Sequence, residues 1–317
     1  MPAKPGDWMR SYLLTILLIA MIPTAATGAP HLLFDTQQTF DSDNLQTHAY
    51  WAGIEQSIAD GGRHDHWSAA SGAREFESST DAVVFKGLRV GLVKTLLGGT
   101  RLEVKGQQLM GSDWSPTLGS LYVTQQLGDR WSVEATFDRD LVDTVVAVRN
   151  RTLIHVFGGS FDYLISPEWT AVVGANAQWL TDGNRRNGYI TKLVFSPASA
   201  EWCSAQLRLR RTDSELAGVG YFSPRRFEEA LLSTTLSTGF WKDRFNIGLQ
   251  LGIGGQRVNA DTADPIYSAE IRLRGGVTQS GRVEIKAGCS NIGGLSGVGS
   301  GGGYRYCSAN LGWAQSF

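Results

Sequence analysis

The stretch FNIGLQLGIG, residues 245–254, decides the fold class. Apolar side chains occupy every second position: Phe245, Ile247, Leu249, Leu251 and Ile253. Asparagine, glutamine and glycine fill the positions between them. Because successive side chains of a β-strand point to opposite faces, this alternation predicts a strand with one apolar face and one polar face.

The same alternation recurs at 131–138, 267–274 and 282–287, where the polar face carries charges. Candidate strands run for about 9–12 residues, the length that a tilted strand needs to cross a bilayer. Strands of soluble sheets are usually shorter, at about 5–6 residues. The sequence therefore predicts an all-β fold, a transmembrane antiparallel up-and-down β-barrel.

The number of strands follows from parity. Thirteen strands are predicted from about residue 85 onward, and bacterial barrels have an even number. Segment 31–84 must therefore add one strand or three. We prefer three, at roughly 31–40, 47–58 and 66–76, because the last two segments look strand-like; the barrel then has 16 strands. One strand would give 14, which is the alternative.

The predicted connections alternate between long and short. Outer-membrane barrels have long extracellular loops and short periplasmic turns. Four tryptophans lie beside the short connections, where an aromatic girdle is expected at a membrane interface: Trp131, Trp169, Trp202 and Trp241.

The N-terminus predicts export. Lys4 and Arg10 precede an apolar run, 12–22, and then small residues, 23–30. This order is typical of a signal peptide, predicted over 1–28, because the apolar run is too short for a membrane anchor. The rest of the chain, 29–317, is predicted as one barrel in the outer membrane of a Gram-negative bacterium, with outer-membrane lipid and the barrel assembly machinery as partners.

Charge and cysteine content exclude several classes of function. The chain has 29 basic and 30 acidic residues, so nothing indicates a nucleic-acid partner. Three cysteines are too few for a disulfide framework and lack zinc-site spacing. Cys289 and Cys307 flank one glycine-rich loop, either as a disulfide or as two small lipid-facing side chains; the sequence alone slightly favours the second.

Neither an enzyme, a cofactor nor a metal is predicted. His155, Ser160 and Asp162 are close in sequence, but only geometry defines a catalytic triad. Two histidines in 64–66 are a weak metal motif. Residues 297–302 fit G-x-G-x-x-G without the βαβ context of a dinucleotide site. An outer-membrane hydrolase is therefore only the second alternative.

A set of charged residues shares the polar phase of the predicted strands and is expected to line the lumen. Its members are Glu103, Lys105, Glu134, Arg208, Arg210, Glu270, Arg272, Arg274, Arg282, Glu284 and Lys286. Both signs of charge are present, whereas a field of one sign would have indicated a charged solute.

Four short motifs carry a resemblance to a known family: FDSDNLQTHAYWAG (40–53), FDRDLVDT (137–144), LTDGNRRNGY (180–189) and GYFSPRRF (220–227). They resemble strand ends and loops of the exopolysaccharide-export barrels, which are the pore domains of the cellulose-export and poly-N-acetylglucosamine-export proteins and a related phage-adsorption protein. The resemblance implies a pore for a polysaccharide. The tetratricopeptide repeats of that family are missing here, so a scaffold would be a separate periplasmic protein. A general porin or receptor-like barrel for small solutes is the alternative.

Aromatic residues near the predicted external loops, Trp179, Tyr189, Tyr221 and Phe222, are candidates either for sugar stacking or for an outer girdle. The ending NLGWAQSF resembles the C-terminal assembly signal of outer-membrane barrels, with Gly312, Trp313 and Phe317 in the signal positions. Gln315 departs from that signal, which prefers an apolar residue there.

If Phe317 helps the assembly machinery to recognise the last strand, its deletion should reduce insertion while synthesis continues. The measurement is the amount of barrel in the outer-membrane fraction relative to total protein. Normal insertion of the truncated chain would show that the ring is not part of the signal.

Overall fold

The computed structural model describes residues 29–42, 44–58, 65–217, 220–241, 244–278, 281–293 and 305–316. These residues form sixteen strands. In chain order the strands are β1 (His31–Asp41), β2 (Gln46–Ser57), β3 (His66–Glu77), β4 (Ala82–Thr95), β5 (Arg101–Met110), β6 (Thr117–Gln126), β7 (Trp131–Leu141), β8 (Leu153–Ser166), β9 (Trp169–Leu180), β10 (Arg185–Phe195), β11 (Cys203–Ser214), β12 (Arg226–Phe240), β13 (Phe245–Val258), β14 (Asp264–Gly276), β15 (Gly281–Ser290) and β16 (Tyr306–Ser316).

Each strand pairs antiparallel with the next one in the chain, and β1 pairs with β16 to close the barrel. The predicted up-and-down barrel of sixteen strands is confirmed, and the alternative of fourteen is wrong. Three strands precede residue 82 because 46–57 and 66–77 pair with each other over their whole length. We call the barrel end that holds His31 and Ser316 the terminal end, and the opposite end the distal end.

Strand β13 shows how the two faces differ. Leu249 is 38% exposed, Leu251 49% and Ile253 60%, whereas Gly252 between them is buried. Large apolar side chains on the outer face of a barrel contact lipid, which explains why they are exposed in an isolated chain. Their neighbours Asn246 and Gln250 fall on the interior face.

An aromatic belt follows the terminal end from β7 to β13. Trp131, Trp169, Trp202 and Trp241 lie at strand starts or turns there, and all four are exposed. Trp131 stacks on Tyr163 with ring centroids 4.0 Å apart. Exposed amphipathic rings at one level are the arrangement expected at a membrane–water interface.

The connections depart from the predicted alternation of lengths. The distal connection 181–184 is shorter than 196–202 at the terminal end. It is short because Arg185 and Arg186, which the sequence suggested as loop residues, already pair with β9. The distal connection 142–152 is long and contacts the interior, as do residues 220–225 between β11 and β12.

Helical structure is minor in the described part of the chain. A short 3-10 helix covers Leu97–Gly99, and α1 (Val145–Arg149) lies in the connection between β7 and β8. Among the described residues, no helix has the length and apolar character needed to span a membrane.

Cys289 and Cys307 form a disulfide. The slightly favoured alternative, two side chains without a bond between them, is therefore wrong. The two residues are register partners on β15 and β16, with Cα atoms 4.0 Å apart. Cys289 is exposed and shares the outward phase of Ile285. The bond therefore lies on the outer face near the distal end. Cys203 is free.

A matched pair of substitutions tests the register. Leu249→Arg would place a charge on the lipid face and should destabilise the barrel by roughly 2–4 kcal/mol. Gln250→Arg, one residue on, places the same charge on the interior face and should cost little. Folding into lipid vesicles across a urea series measures both. Equal tolerance of the two changes would contradict the assignment of faces.

Candidate functional site: the barrel interior

Ion pairs between strands that are not neighbours identify the interior face. Arg282 on β15 contacts Glu55 on β2 at 2.5 Å, although β16 and β1 lie between them. Arg89 on β4 contacts Asp35 on β1 at 3.0 Å in the same way. Side chains that meet across intervening strands must lie on the concave side of the barrel.

The charged residues that the sequence placed in the lumen all lie in strands. Those of β14 and β15 form a ladder of register neighbours, in which Arg274 contacts Glu284 at 2.9 Å. Glu270 accepts from both Lys286, at 3.1 Å, and Arg272, at 3.4 Å. These groups are well solvated, so each pair contributes little to stability. They keep a hydrated polar wall.

Three further residues of this set lie on β5 and β7. Glu103 pairs with Arg101 at 2.9 Å, and its β5 neighbour Lys105 lies in the same phase. Glu134 on β7 accepts a hydrogen bond of 3.1 Å from Ser160 on β8.

Glu229 on β12, which the sequence analysis missed, joins two of the predicted residues. Its side chain is fully buried, and its carboxylate contacts Arg208 at 2.7 Å and Arg210 at 2.8 Å. Phe227 and Leu231 flank it in the same inward phase and are also buried. An inward phase that is partly apolar hides the period-two signal, which is why Glu229 was not found.

The connection 142–152, which we call the helical loop, is tied to the opposite wall by Arg74 on β3. Arg74 contacts Asp140 at 2.6 Å and Asp143 at 2.7 Å. Thr144 caps α1 by accepting from the backbone N–H of Ala147. The helical loop is thus held against β3 and folds over the interior.

An apolar cluster lies beneath the helical loop. Val145 and Val148 of α1 belong to it together with three aromatic side chains, Trp51, Phe76 and Phe85. Phe76 and Phe85 lie on the same interior face as Arg74 and have no exposed surface. Burial of aromatic rings on this face, where water would otherwise be, stabilises the position of the loop.

The outer side of the helical loop is attached to two other distal connections. Arg149 contacts Asp81 at 2.7 Å and Asp113 at 3.3 Å. The hydrogen bond from Arg149 lowers the pKa of the Asp81 carboxyl. Asp81 is solvent-exposed, so this contact orients the loop more than it stabilises it.

Residues 215–217 and 220–225, which we call the tyrosine loop, enter the interior from the other side. Tyr221 is only 3% exposed and donates to Asp182 at 2.7 Å. Asn184 donates to Ser223 at 2.8 Å and accepts from the N–H of Leu216 at 3.0 Å. Burial, and then the bond to Asp182, raise the pKa of Tyr221 to about 12, so its hydroxyl stays a donor at neutral pH.

The helical loop and the tyrosine loop meet. The Thr144 hydroxyl donates to the carbonyl of Gly220 at 3.0 Å, and Tyr221 packs with Ala147. Gly220 has a φ of +83°, and a Cβ there would come within 2.9 Å of Val146. A side chain at this position would therefore strain the backbone and separate the loops.

Two of the predicted external-loop residues lie elsewhere. Trp179 belongs to β9 and Tyr189 to β10, both exposed on the outer face near the distal end. They are strand residues because β9 and β10 pair up to Trp179 and Arg185. This position suits an outer girdle and excludes stacking inside the lumen. Tyr221 and Phe222 do lie in the tyrosine loop.

The interior also holds a cavity of about 290 Å³ at the terminal end, between β1, β2, β3, β5 and β15. Glu55 contacts His66 there at 3.5 Å, and Lys94 contacts the buried Asp65 at 3.4 Å. In the described residues, no group of three side chains has the geometry to hold a metal ion. His64 and the glycine motif at 297–302 lie outside the described residues.

His155, Ser160 and Asp162 do not form a triad. On β8, the alternation places His155 on the outer face with the exposed Phe157, and Ser160 and Asp162 on the interior face. Of the assembly-signal residues, Gly312 and Trp313 lie in β16, and Phe317 is outside the described residues.

Comparison with known proteins gives matches of fold. No protein-family model matches the sequence, and no curated protein sequence is significantly similar to it. A bacterial polysaccharide outer membrane secretin matches with a TM-score of 0.72 and 10% identity, over 91% of this chain and 98% of that one. OccK7 (OpdD) of Pseudomonas aeruginosa matches with a TM-score of 0.44 and 10% identity, over 91% and 98%. OprB of Pseudomonas putida, in its low-pH structure, has a TM-score of 0.38 and 14% identity, over 99% and 97%. The resemblance to polysaccharide-export barrels is confirmed as a likeness of fold.

Replacement of Arg74 tests how the helical loop is held. Arg74→Gln should leave Asp140 and Asp143 without their cation and cost about 1–3 kcal/mol locally. Hydrogen exchange of the peptide covering 142–152 should accelerate, while the barrel strands stay protected. Arg149→Gln is the matched control, because its exposed pairs contribute little. Equal exchange in both variants would mean that Arg74 does not hold the loop.

Proposed function

We propose that this chain is an outer-membrane pore through which an extracellular polysaccharide is exported. The terminal end would face the periplasm and the distal end the cell exterior, as in barrels with short periplasmic turns. Lipid surrounds the exposed apolar face, and export needs no covalent chemistry. A separate periplasmic protein would deliver the polymer, and the assembly machinery would insert the barrel.

The observation that carries the proposal is the match to a polysaccharide secretin over 98% of that protein's chain. The interior supports it. Solvated ion pairs on β14 and β15, such as Arg274 with Glu284, provide many weak polar contacts along one wall. A polymer that is to leave must bind weakly and repeatedly, as conduction through any pore requires.

The two loops bear on transport. The helical loop and the tyrosine loop meet at the distal end, on the path that a polymer would take to the cell exterior. Their separation would widen this exit. It would break the hydrogen bond between Thr144 and Gly220 and the contacts of Tyr221.

The mixed charge of the interior fits the alternative as well, a general porin or receptor-like barrel for small solutes. Both signs of charge line such an interior, so it would select neither sign of solute. The two functions differ in whether the loops control a surface glycan.

Removal of residues 220–224 tests the proposed function. The strands should stay paired, because external loops tolerate shortening better than strands do. The deletion should change the amount of surface polysaccharide, with barrel abundance and heat-dependent gel mobility as the control. A change in small-solute uptake alone would favour a porin. If deletion of the whole gene altered no surface glycan, the export function would be refuted.

A further inference from the structure

A second cavity, of about 100 Å³, lies beneath the tyrosine loop at the distal end of β9–β12. Arg186 and Arg210 line it on the barrel wall, with Gln178 and Ser214 beside them. Phe222 of the tyrosine loop also lines it. Neither the comparisons of fold nor the proposed pore function assigns a ligand to this space.

The wall of this cavity carries more positive charge than negative. Glu229 is shared between Arg208 and Arg210, so one carboxylate faces two guanidinium groups. Arg186 forms no ion pair with any described residue. Asp182 accepts a hydrogen bond from the Tyr221 hydroxyl and keeps its negative charge, so three arginines face two carboxylates here. The cavity is therefore surrounded by an excess of cations.

Both lining arginines are fixed in position. Arg186 donates to the carbonyl of Phe222 at 2.8 Å, and its guanidinium lies 4.8 Å from the centre of the Tyr221 ring. Arg210 lies 4.9 Å from the centre of the Phe227 ring. Contacts with aromatic rings hold a guanidinium without neutralising it. The charge of Arg186 stays available to a ligand, whereas Arg210 shares the Glu229 carboxylate with Arg208.

Three buried donors at this cavity lack an acceptor within the described part of the chain: Nε of Arg186, Nε of Arg210 and Oγ of Ser214. A buried donor without an acceptor is costly. Water would satisfy the hydrogen bonds but would leave the excess charge uncompensated. A small anion with several acceptor oxygens satisfies both needs, and a carboxylate suits guanidinium geometry.

We propose that this cavity binds the carboxylate of an acidic saccharide, so that the exported polymer contains acidic sugars. The inference rests on the proposed function, because the cavity lies on the interior wall where a polymer would pass. The carboxylate would take the donors of Arg186, Arg210 and Ser214, and the opening beneath the tyrosine loop would admit one acidic group at a time.

Calorimetric titration of the purified full-length barrel in detergent tests the proposal. The probes are a galacturonate oligomer, a glucose oligomer of equal length and free acetate. The galacturonate oligomer should bind, more weakly as salt increases, and the glucose oligomer should not. Arg186→Gln should lower the affinity for it about tenfold or more. Arg130→Gln, which removes the same charge at the terminal end, should leave that affinity unchanged.

Each other result overturns the proposal in a distinct way. Equal binding of the neutral oligomer would refute the acidic class and leave polysaccharide export standing. Equal affinity for acetate and the galacturonate oligomer would make this a site for free anions. If the Arg186→Gln barrel does not fold, as judged by loss of heat-dependent gel mobility, Ser214→Ala removes another donor of the same cavity. It should also lower the affinity for the galacturonate oligomer. The export function is tested separately. It would be refuted by an unchanged surface glycan after deletion of the gene, which this titration does not measure.

Discussion

The pairing of β1 with β16 is the constraint on which the rest of the structure depends. In a bilayer an unpaired backbone N–H or C=O costs several kcal/mol, so a sheet with free edges cannot exist there. Register pairs from His31 with Ser316 to Asp41 with Tyr306 remove both edges along the full length of the strands. Once the sheet is closed, one face of every strand meets lipid and the other encloses water.

Closure also explains why the interior differs so much from the exterior. The outer face must carry apolar side chains because it contacts lipid, and Leu249 and Ile253 are examples. The interior face has no such requirement. It combines a solvated charged wall on β14 and β15 with an apolar cluster around Phe76 and Phe85. That cluster would be unfavourable in water, and the helical loop covers it. Loop position is therefore a consequence of which apolar residues face inward.

Local alternation was enough to predict the barrel, the strand number and most strand bounds. Each of these depends on neighbours two residues apart or on parity. The loops depend on contacts that are distant in sequence, such as Arg74 with Asp143, and no local pattern reveals those. The interior face of β12 was also hard to predict. It carries both apolar and charged side chains, such as Phe227 and Glu229, so it does not contrast with the outer face. Trp179 and Tyr189 were assigned to loops for a different reason: polar turn residues beside them suggested that the strands end earlier.

The disulfide between Cys289 and Cys307 has a consequence for biogenesis. Bacterial cells oxidise thiols in the periplasm, whereas this bond lies at the end of the barrel that would face outward. If the distal end faces the cell exterior, oxidation in the periplasm would join the two sulfurs before β15 and β16 cross the membrane. The last hairpin would then reach the membrane already covalently joined and in register, as a template against which β1 closes.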